Sequence, residues 1–558
     1  MKTKLLLSYL LLQVFFIKGQ NTFHYFYNTN TGAQNITLTS KEDFLVTGRL
    51  EMDTINAIYA QYLSKFDKFG NNKWTKTFNW TSPISSEGWY VNELSSNSYI
   101  DFSLLFNGSN SKRSFMMLKI DSMGNVLKDR QIDSIMNYDF FKLRIRNSNS
   151  YYFAGTWYPG YGYKQDIFIF ETDSDLNIKW AKQYDFPSNS FTHDDFVFTD
   201  FIFANNKIML TAYGYAVNNG ADGVQSTIIV LDTTGNLINC KTTKVPPSMP
   251  GRSQVVRLYN ILQYDRNDLY FFGGYATDGV DYGMNNMILK TDSSLNVKWV
   301  KTFAINNKES VIYNSLITSD KNLAVLFGYD PAGTSNSQGR GSVLLKMDTA
   351  ANIKWMHLLN DTTYGVNNNY VSSFGASNFI ETLDLGLAII GECDGSSSGS
   401  NWKRTELIKT DSFGNQPCDY GVVNYYNTTN TLPFVPSFPV VTSINSLVTS
   451  TPTINTQHII LTQVDFCSYT GIEKYSSSLD FKIYPNPSSG NFAISIVNNT
   501  NDRVNIEIQD ITGRSLITQQ LQTNNGVAEI QTNLASGIYL AIVTNNGKTI
   551  KQKLIINN

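Results

Sequence analysis

Asp348-Thr349-Ala350-Ala351-Asn352-Ile353-Lys354-Trp355 holds the pattern that decides the fold. Its frame, Asp-x-x-x-Asn, recurs at Asp67…Asn71, Asp121…Asn125, Asp173…Asn177, Asp232…Asn236, Asp292…Asn296, Asp348…Asn352 and Asp411…Asn415. Successive Asp residues lie 52 to 63 positions apart, and Trp follows the Asp by seven residues in four copies (Trp74, Trp180, Trp299, Trp355). Asp can hydrogen-bond a turn backbone and Asn tolerates positive φ, so the frame reads as a tight hairpin. A glycine precedes the Asp by 18 to 20 residues in six copies: Gly48, Gly155, Gly214, Gly273, Gly328 and Gly391. Glycine there allows a bulge or a close backbone approach. The second copy departs, with Leu104-Leu105-Phe106-Asn107 in the glycine region and Lys128 at the Trp position.

Around the sixth copy the unit resolves into four strands, 310–318, 323–327, 342–347 and 353–359. Four short strands per repeat of this length match a propeller blade, the kelch type running near ~50 residues. Apolar runs such as Ile167-Phe168-Ile169-Phe170 imply that neighbouring blades bury each other's faces. The recurrent Trp residues fit the same packing better than sugar stacking, given the apolar area each buries. The expected fold is all-β: a seven-bladed β-propeller over 20–418.

The seventh copy continues into Gln416-Pro417-Cys418, a poor fourth strand because proline lacks an N–H. Thr22 to Asn28 is an unassigned strand-like stretch ahead of the first complete copy. We expect it to complete the seventh blade beside Glu406 to Thr410; the other reading is an independent N-terminal edge strand.

The 558-residue chain is 16 % charged and 13 % aromatic with a formal net charge of −2, which provides no field for nucleic acid or an anionic membrane. Lys2 and Lys4 precede an apolar run from Leu5 to Ile17, too short to span a bilayer and ordered like a signal peptide over 1–19, with the mature chain starting at Gln20 or Asn21. No other stretch is apolar enough for a transmembrane segment. Four cysteines allow three pairings, of which Cys418–Cys467 is favoured, or all four stay as thiols.

Residues 419–470 lose the repeat and are proline-rich around Pro433, Pro436 and Pro439; they read as an extension packing on the propeller, over the outer edge of its last blade. A linker over 471–480 follows. From 481 to 558, alternating strands with Gly and Asn turns indicate a small C-terminal β-sandwich.

The motifs of that last stretch are Tyr484-Pro485-Asn486-Pro487 leading to Gly490, Asp510-Ile511-Thr512-Gly513-Arg514, Gly537-Ile538-Tyr539, and a Lys-rich final strand with Lys551 and Lys553. In this order they resemble the type A C-terminal sorting domain of the type IX secretion system of Bacteroidetes. The resemblance implies a sorting signal carried by Pro485, Asn486, Pro487, Gly490, Gly513, Gly537, Tyr539 and Lys553. It also implies the type IX machinery as partner, and release or surface attachment after removal of the domain. It gives an address, not an activity.

Chemistry is sparse. The four histidines (His24, His193, His357, His458) form no zinc motif, and His193-Asp194-Asp195 reads as a solvated turn. Asp173-Ser174-Asp175-Leu176-Asn177 begins like a calcium loop but has Ile178 where Gly is needed and Tyr184 where Glu is needed. No catalytic or metal-binding residue and no cofactor is expected. The loops between second and third strands are long and aromatic: Trp157, Tyr158, Tyr161 and Tyr163 in one, Tyr282 in another, Arg340 in a third, and Trp402 within a loop taken as Ser397 to Arg404. These residues fit a glycan or an extended peptide. The leading reading is a secreted or surface-displayed binding protein. A structural cell-surface component is the first alternative, and an extracellular hydrolase or lyase on polysaccharide or peptide the second.

Overall fold

The seven phased Asp-x-x-x-Asn stretches fold into the same turn, and the side chains explain why. At Asp232, Oδ1 accepts from the backbone N–H groups of Thr234 and Asn236, both at 2.8 Å, while Asn236 Nδ2 donates to Oδ2 at 2.8 Å. The other six copies repeat this three-bond set. The fourth turn residue always takes positive φ: Gly70, Gly124, Gly235 and Gly414, but also Leu176, Leu295 and Ala351. Glycine is the low-cost residue in that conformation.

The structure is a computed structural model. It describes residues 21–27, 30–53, 58–80, 84–95, 97–107, 113–136, 141–157, 165–185, 196–218, 221–243, 255–276, 285–305, 310–329, 341–359, 373–397, 400–418, 425–430, 434–436, 440–443, 449–450, 454–459, 461, 463–465, 481–496, 503–510, 514–524, 527–545 and 548–557. It divides into two compact units, Met1–Cys467 and Ser468–Asn558.

The first unit is a seven-bladed β-propeller. Blade 1 holds the strands Thr31–Leu38, Phe44–Asp53, Ile58–Phe66 and Asn72–Trp80, paired in sequence order. Blades 2 to 6 repeat this meander, opening with the strands Ile84–Ser95, Phe141–Asn147, Phe196–Ala204, Val255–Gln263 and Ser310–Ile317. Seven apolar clusters lie one at each junction between neighbouring blades. The one joining blade 7 to blade 1 contains Phe23, Tyr27, Ile36, Phe44, Tyr62 and Leu407. The ring is closed.

Closure uses the N-terminus. Blade 7 contains Ser373–Glu381, Leu387–Ser397 and Ser400–Lys409, and its fourth strand is Phe23–Tyr27. That strand runs antiparallel to Ser400–Lys409, with Phe23 opposite Lys409 and Tyr25 opposite Leu407. It also carries the blade-to-blade contact of the Trp strands. Trp180 lies against Gly235 in the turn of the following blade, and Tyr184 OH donates to Gly235 O at 2.6 Å. At the seam Phe23 and Tyr25 lie against Gly70 of blade 1, and Tyr27 OH donates to Gly70 O at 2.7 Å. Phe23 and Tyr27 thus have the four-residue spacing of Trp180 and Tyr184. In blade 2, where Lys128 replaces Trp, the contact turns ionic: Lys128 pairs with Asp175 at 3.1 Å and Arg130 Nη2 donates to Asn177 Oδ1 at 3.0 Å.

The segment after the repeats goes much further than the outer edge of the last blade. Tyr425–Asn430 adds a fifth strand to blade 5, Phe434–Pro436 to blade 4, and Val440–Ser443 to blade 3. Thr449–Ser450 then pairs with blade 2 and Ile454–Ile459 with blade 1. Gln463–Asp465 finally pairs with Phe23–Tyr27 itself. At blade 6, Gln416 Nε2 donates to the outer-strand carbonyls of Leu358 and Leu359. The chain therefore passes round the outside of the ring in the reverse blade order, a belt over exposed sheet edges. Unpaired edges invite association, so covering them serves solubility as well as closure. Cys418 is disulfide-bonded and Cys240 is a buried thiol, whereas Cys467 lies outside the described residues.

The second unit is the small β-sandwich. One sheet contains Phe481–Tyr484, Asn491–Ile496 and Val527–Gln531; the other contains Ser515–Gln522, Arg503–Gln509, Gly537–Asn545 and Lys548–Ile556. Ile494 and Phe492 from the first face meet Ile506, Ile508 and Val543 from the second in one core.

Candidate functional site

The two faces of the ring differ in kind. On one, the first-to-second and third-to-fourth strand connections are short turns whose polar groups bond internally, as in the Asp frame and in Thr318, which accepts from Asn322 N–H and donates to Asp320. At the other, the second strand of each blade ends and the third begins; the connecting residues, including 158–164, 244–254, 277–284, 330–340 and 360–372, fall outside the described residues. Trp157 ends the strand Ser150–Trp157 opposite Asp166 at the root of the first of these loops. Tyr158, Tyr161, Tyr163, Tyr282 and Arg340 fall outside the described residues, as does the His193-Asp194-Asp195 stretch. Trp402 corrects its expected placement. It lies within the strand Ser400–Lys409, opposite Gly395, because the hairpin pairs all the way to Ser397 and Ser400 and leaves no long loop there.

At the inner ends of blades 7, 1 and 2, toward the loop face, a charged cluster escaped the sequence reading. Arg49 Nη1 lies 3.2 Å from Glu87 and Nη2 lies 3.3 Å from Glu392, with Gln34 Nε2 donating to Glu87 at 2.8 Å. The guanidinium stacks 5.2 Å from the Tyr59 ring centroid. Burial pulls the Arg49 pKa down, but Glu87 and Glu392 more than reverse this and raise it. The signal was present: Arg49 follows Gly48 and Glu392 follows Gly391, so two repeat glycines each introduce one half of an ion pair across the closure seam. A Cβ on Gly32 would meet Glu392 Oε1 at 2.0 Å, so glycine there makes room for the carboxylate. One arginine holding two carboxylates from different blades ties blades 7, 1 and 2 together.

Deeper between blades 1 and 2, Asp101 is fully buried and Thr47 Oγ1 donates to it at 3.1 Å. Burial pushes its carboxyl up to about 8 against the pull of hydrogen bonds from Gln61 and Thr47. The turn carboxylates shift the other way. At Asp232 slight burial acts upward, but the Asn236 and Thr234 hydrogen bonds prevail and bring it to about 2. Asp101 therefore holds a proton in the folded state that it loses on unfolding at neutral pH, so its contribution weakens stability from about pH 4 up to about pH 8. The Asp232 contribution is present above about pH 4 and is lost toward pH 2. We expect urea midpoints to fall on both sides of mildly acidic pH. Asp101→Asn should flatten the alkaline limb and Asp232→Asn should soften the acid limb. Equal pH profiles for parent and Asp101→Asn would contradict the assignment. Among the described residues no group of three His, Cys, Asp or Glu side chains is placed to hold a metal ion.

In the C-terminal unit the opening motif and the last strand are joined by one side chain. Asn486 Nδ2 donates to Lys553 O at 2.7 Å, and Ile555 N–H donates to Asn486 Oδ1 at 2.9 Å. Ser488 N–H continues the contact to Ile555 O, Gly490 takes φ +100°, and Tyr539 OH donates to Ala535 O at 2.7 Å. Pro485 and Pro487 flank Asn486, Gly537 begins the strand that carries Tyr539, and Lys553 is exposed. Gly513 lies outside the described residues.

The architecture is all-β, a propeller followed by a sandwich. Residues 482–557 match the family described as the secretion system C-terminal sorting domain. The chain thus carries a type IX sorting domain, which implies a Bacteroidetes origin, export to the cell surface or extracellular space, and engagement of the secretion machinery. No curated protein matches the sequence. Among solved structures, an ACO/RPE65 chimera is 15 % identical with TM-score 0.29, covering 57 % of this chain and 69 % of its own. MPT-4, a mannose phosphorylase from Leishmania mexicana solved with phosphate, is 8 % identical with TM-score 0.25, covering 58 % and 84 %. Likenesses this distant carry no argument about activity. Among the described residues no helix is long and apolar enough to cross a membrane.

Proposed function

We propose that the protein is a secreted or surface-displayed binding protein whose loop face captures a glycan or an extended peptide. The observation that carries this reading is the asymmetry of the ring. Its third-to-fourth turns repeat one self-satisfied design, whereas the connections at the opposite strand ends vary in length and sequence from blade to blade, the pattern binding loops require. The Arg49 clamp adds to it, because the charged groups it engages tie blades together. Export by the type IX route places such a face where extracellular ligands are met.

The test is a glycan and peptide array probed with the full chain, then repeated with Trp157→Ala and Tyr161→Ala. We expect specific binding that each substitution weakens at least tenfold while the unfolding midpoint stays unchanged. Absence of binding, or binding indifferent to both substitutions, would contradict the reading. Turnover of polysaccharide or peptide would favour the hydrolase or lyase instead.

A further inference from the structure

The tight-turn face has one place that breaks its own pattern. The third residue of the Asp frame is Asp175, Thr234, Ser294 or Ala350 in blades 3 to 6, but Phe413, Phe69 and Met123 in the consecutive blades 7, 1 and 2. Phe413 is 67 % exposed, Phe69 50 % and Met123 64 %. The turn needs only the backbone N–H at this position, as Phe69 N–H donating to Asp67 Oδ1 shows, so the fold does not call for these side chains. Large exposed apolar groups gathered in one region mark contact surfaces.

Between blades 7 and 1, beside Phe69, lies a cleft of about 460 Å³, within the size range of small-molecule sites. Its apolar wall is formed by Leu38, Phe69 and Leu383, the last 69 % exposed. Its polar groups are already matched in charge. Lys68 pairs with Glu42 at 3.2 Å, Lys409 pairs with Asp384 at 2.9 Å, and Asn21 Nδ2 donates to Lys68 O at 3.2 Å. The two lysines and two carboxylates cancel, so the cleft offers no net field for an anion or a cation. A hydrocarbon occupant would strip water from the Lys68–Glu42 pair and replace none of its hydrogen bonds, which is costly. A hydroxylated ring avoids that penalty: its hydroxyls take the place of water on the ion pairs, and its C–H face lies on Phe69.

We propose that this cleft, on the face opposite the long loops, is a second site that binds a neutral glycan, with Phe69 as the stacking platform and the Lys68–Glu42 pair as hydroxyl partner. Asn21 also lines the cleft.

The test is calorimetric titration of the exported protein with mannotetraose, cellotetraose, xylotetraose and laminaritetraose. Tetragalacturonate and phosphatidylethanolamine/phosphatidylglycerol vesicles are run in parallel. We expect at least one neutral tetrasaccharide to bind. Both Phe69→Ala and Phe69→Leu should weaken it at least tenfold with no change in unfolding midpoint, while Phe413→Ala and Trp157→Ala leave it unchanged. The Trp157→Ala arm separates this site from the loop face, so either can fail alone. No neutral tetrasaccharide binding, binding that survives loss of the Phe69 ring, or a Phe69-dependent preference for tetragalacturonate or vesicles would each overturn the proposal.

Discussion

A chain that begins at residue 30, lacking Phe23–Tyr27, is expected to lose the cooperative unfolding transition of the propeller. Phe23, Phe26 and Tyr27 are almost wholly buried, and burying each such side chain is worth about 1.5–3 kcal/mol. Their strand is laddered on both sides, to Ser400–Lys409 and to Gln463–Asp465, so its removal exposes two sheet edges. It also takes His24 away from Glu406; both side chains are buried and bonded to each other, and a buried polar group left without its partner costs about 1–3 kcal/mol. Together these losses rival the roughly 5–15 kcal/mol that holds a typical domain. Point substitutions grade the effect. Tyr27→Phe removes only the bond to Gly70 O and should cost about 1 kcal/mol, whereas Tyr27→Ala should cost about 3–5 kcal/mol. Circular dichroism melts with size-exclusion profiles check this. A truncated chain that melts like the parent would show that the ring does not depend on this strand.

The second large effect is expected from the belt. A chain ending at Cys467 keeps it and should unfold at the parent midpoint, because the sandwich is a separate unit. A chain ending at Cys418 loses the fifth strand of six blades and buried Leu461. At about 0.5–1.5 kcal/mol net per hydrogen bond, against the entropy of ordering the belt, a net loss of roughly 5 kcal/mol is expected. At about 2 °C per kcal/mol for a large domain the midpoint falls by about 10 °C. Aggregation should rise as well, since the outer strands become unpaired edges. Equal midpoints for the two truncations would mean that the belt decorates the ring without supporting it.

Much of this fold was legible because its unit is written in side chains. The Asp frame, the Trp and the strand-closing glycine each do one local job at a fixed phase, and Phe23 and Tyr27 repeat the spacing of Trp180 and Tyr184. A Cβ on Gly273 would meet Arg257 O at 1.9 Å, so that glycine answers a real close approach. The belt was not legible as a belt. Its strands are two to six residues long and hold on through backbone pairing, which leaves no period and tolerates Pro433, Pro436 and Pro439 in the segment. Polar ties between elements were half visible. Lys65, Lys290, Lys346 and Lys409 each stand two residues before a frame Asp, but their partners Asp43, Asp268, Asp320 and Asp384 sit in turns of varying sequence. The inner strands likewise hide a lock. Asn35 Oδ1 accepts from Val91 N–H and Asp200 Oδ2 from Ile261 N–H, each across a blade boundary that sequence distance conceals. Composition alone marks the loop-face aromatics, and Trp402 shows the limit of that signal, since its glycine- and serine-rich neighbourhood forms a hairpin.

The most direct test of ring closure is a cysteine pair at Tyr25→Cys and Leu407→Cys, residues that face each other across the seam. After mild oxidation of the purified protein, peptide mapping should find the 25–407 disulfide within one chain in near-stoichiometric yield, with neither single variant forming dimers. Failure to form that link, or its formation between two chains, would contradict a ring fastened by its own N-terminus.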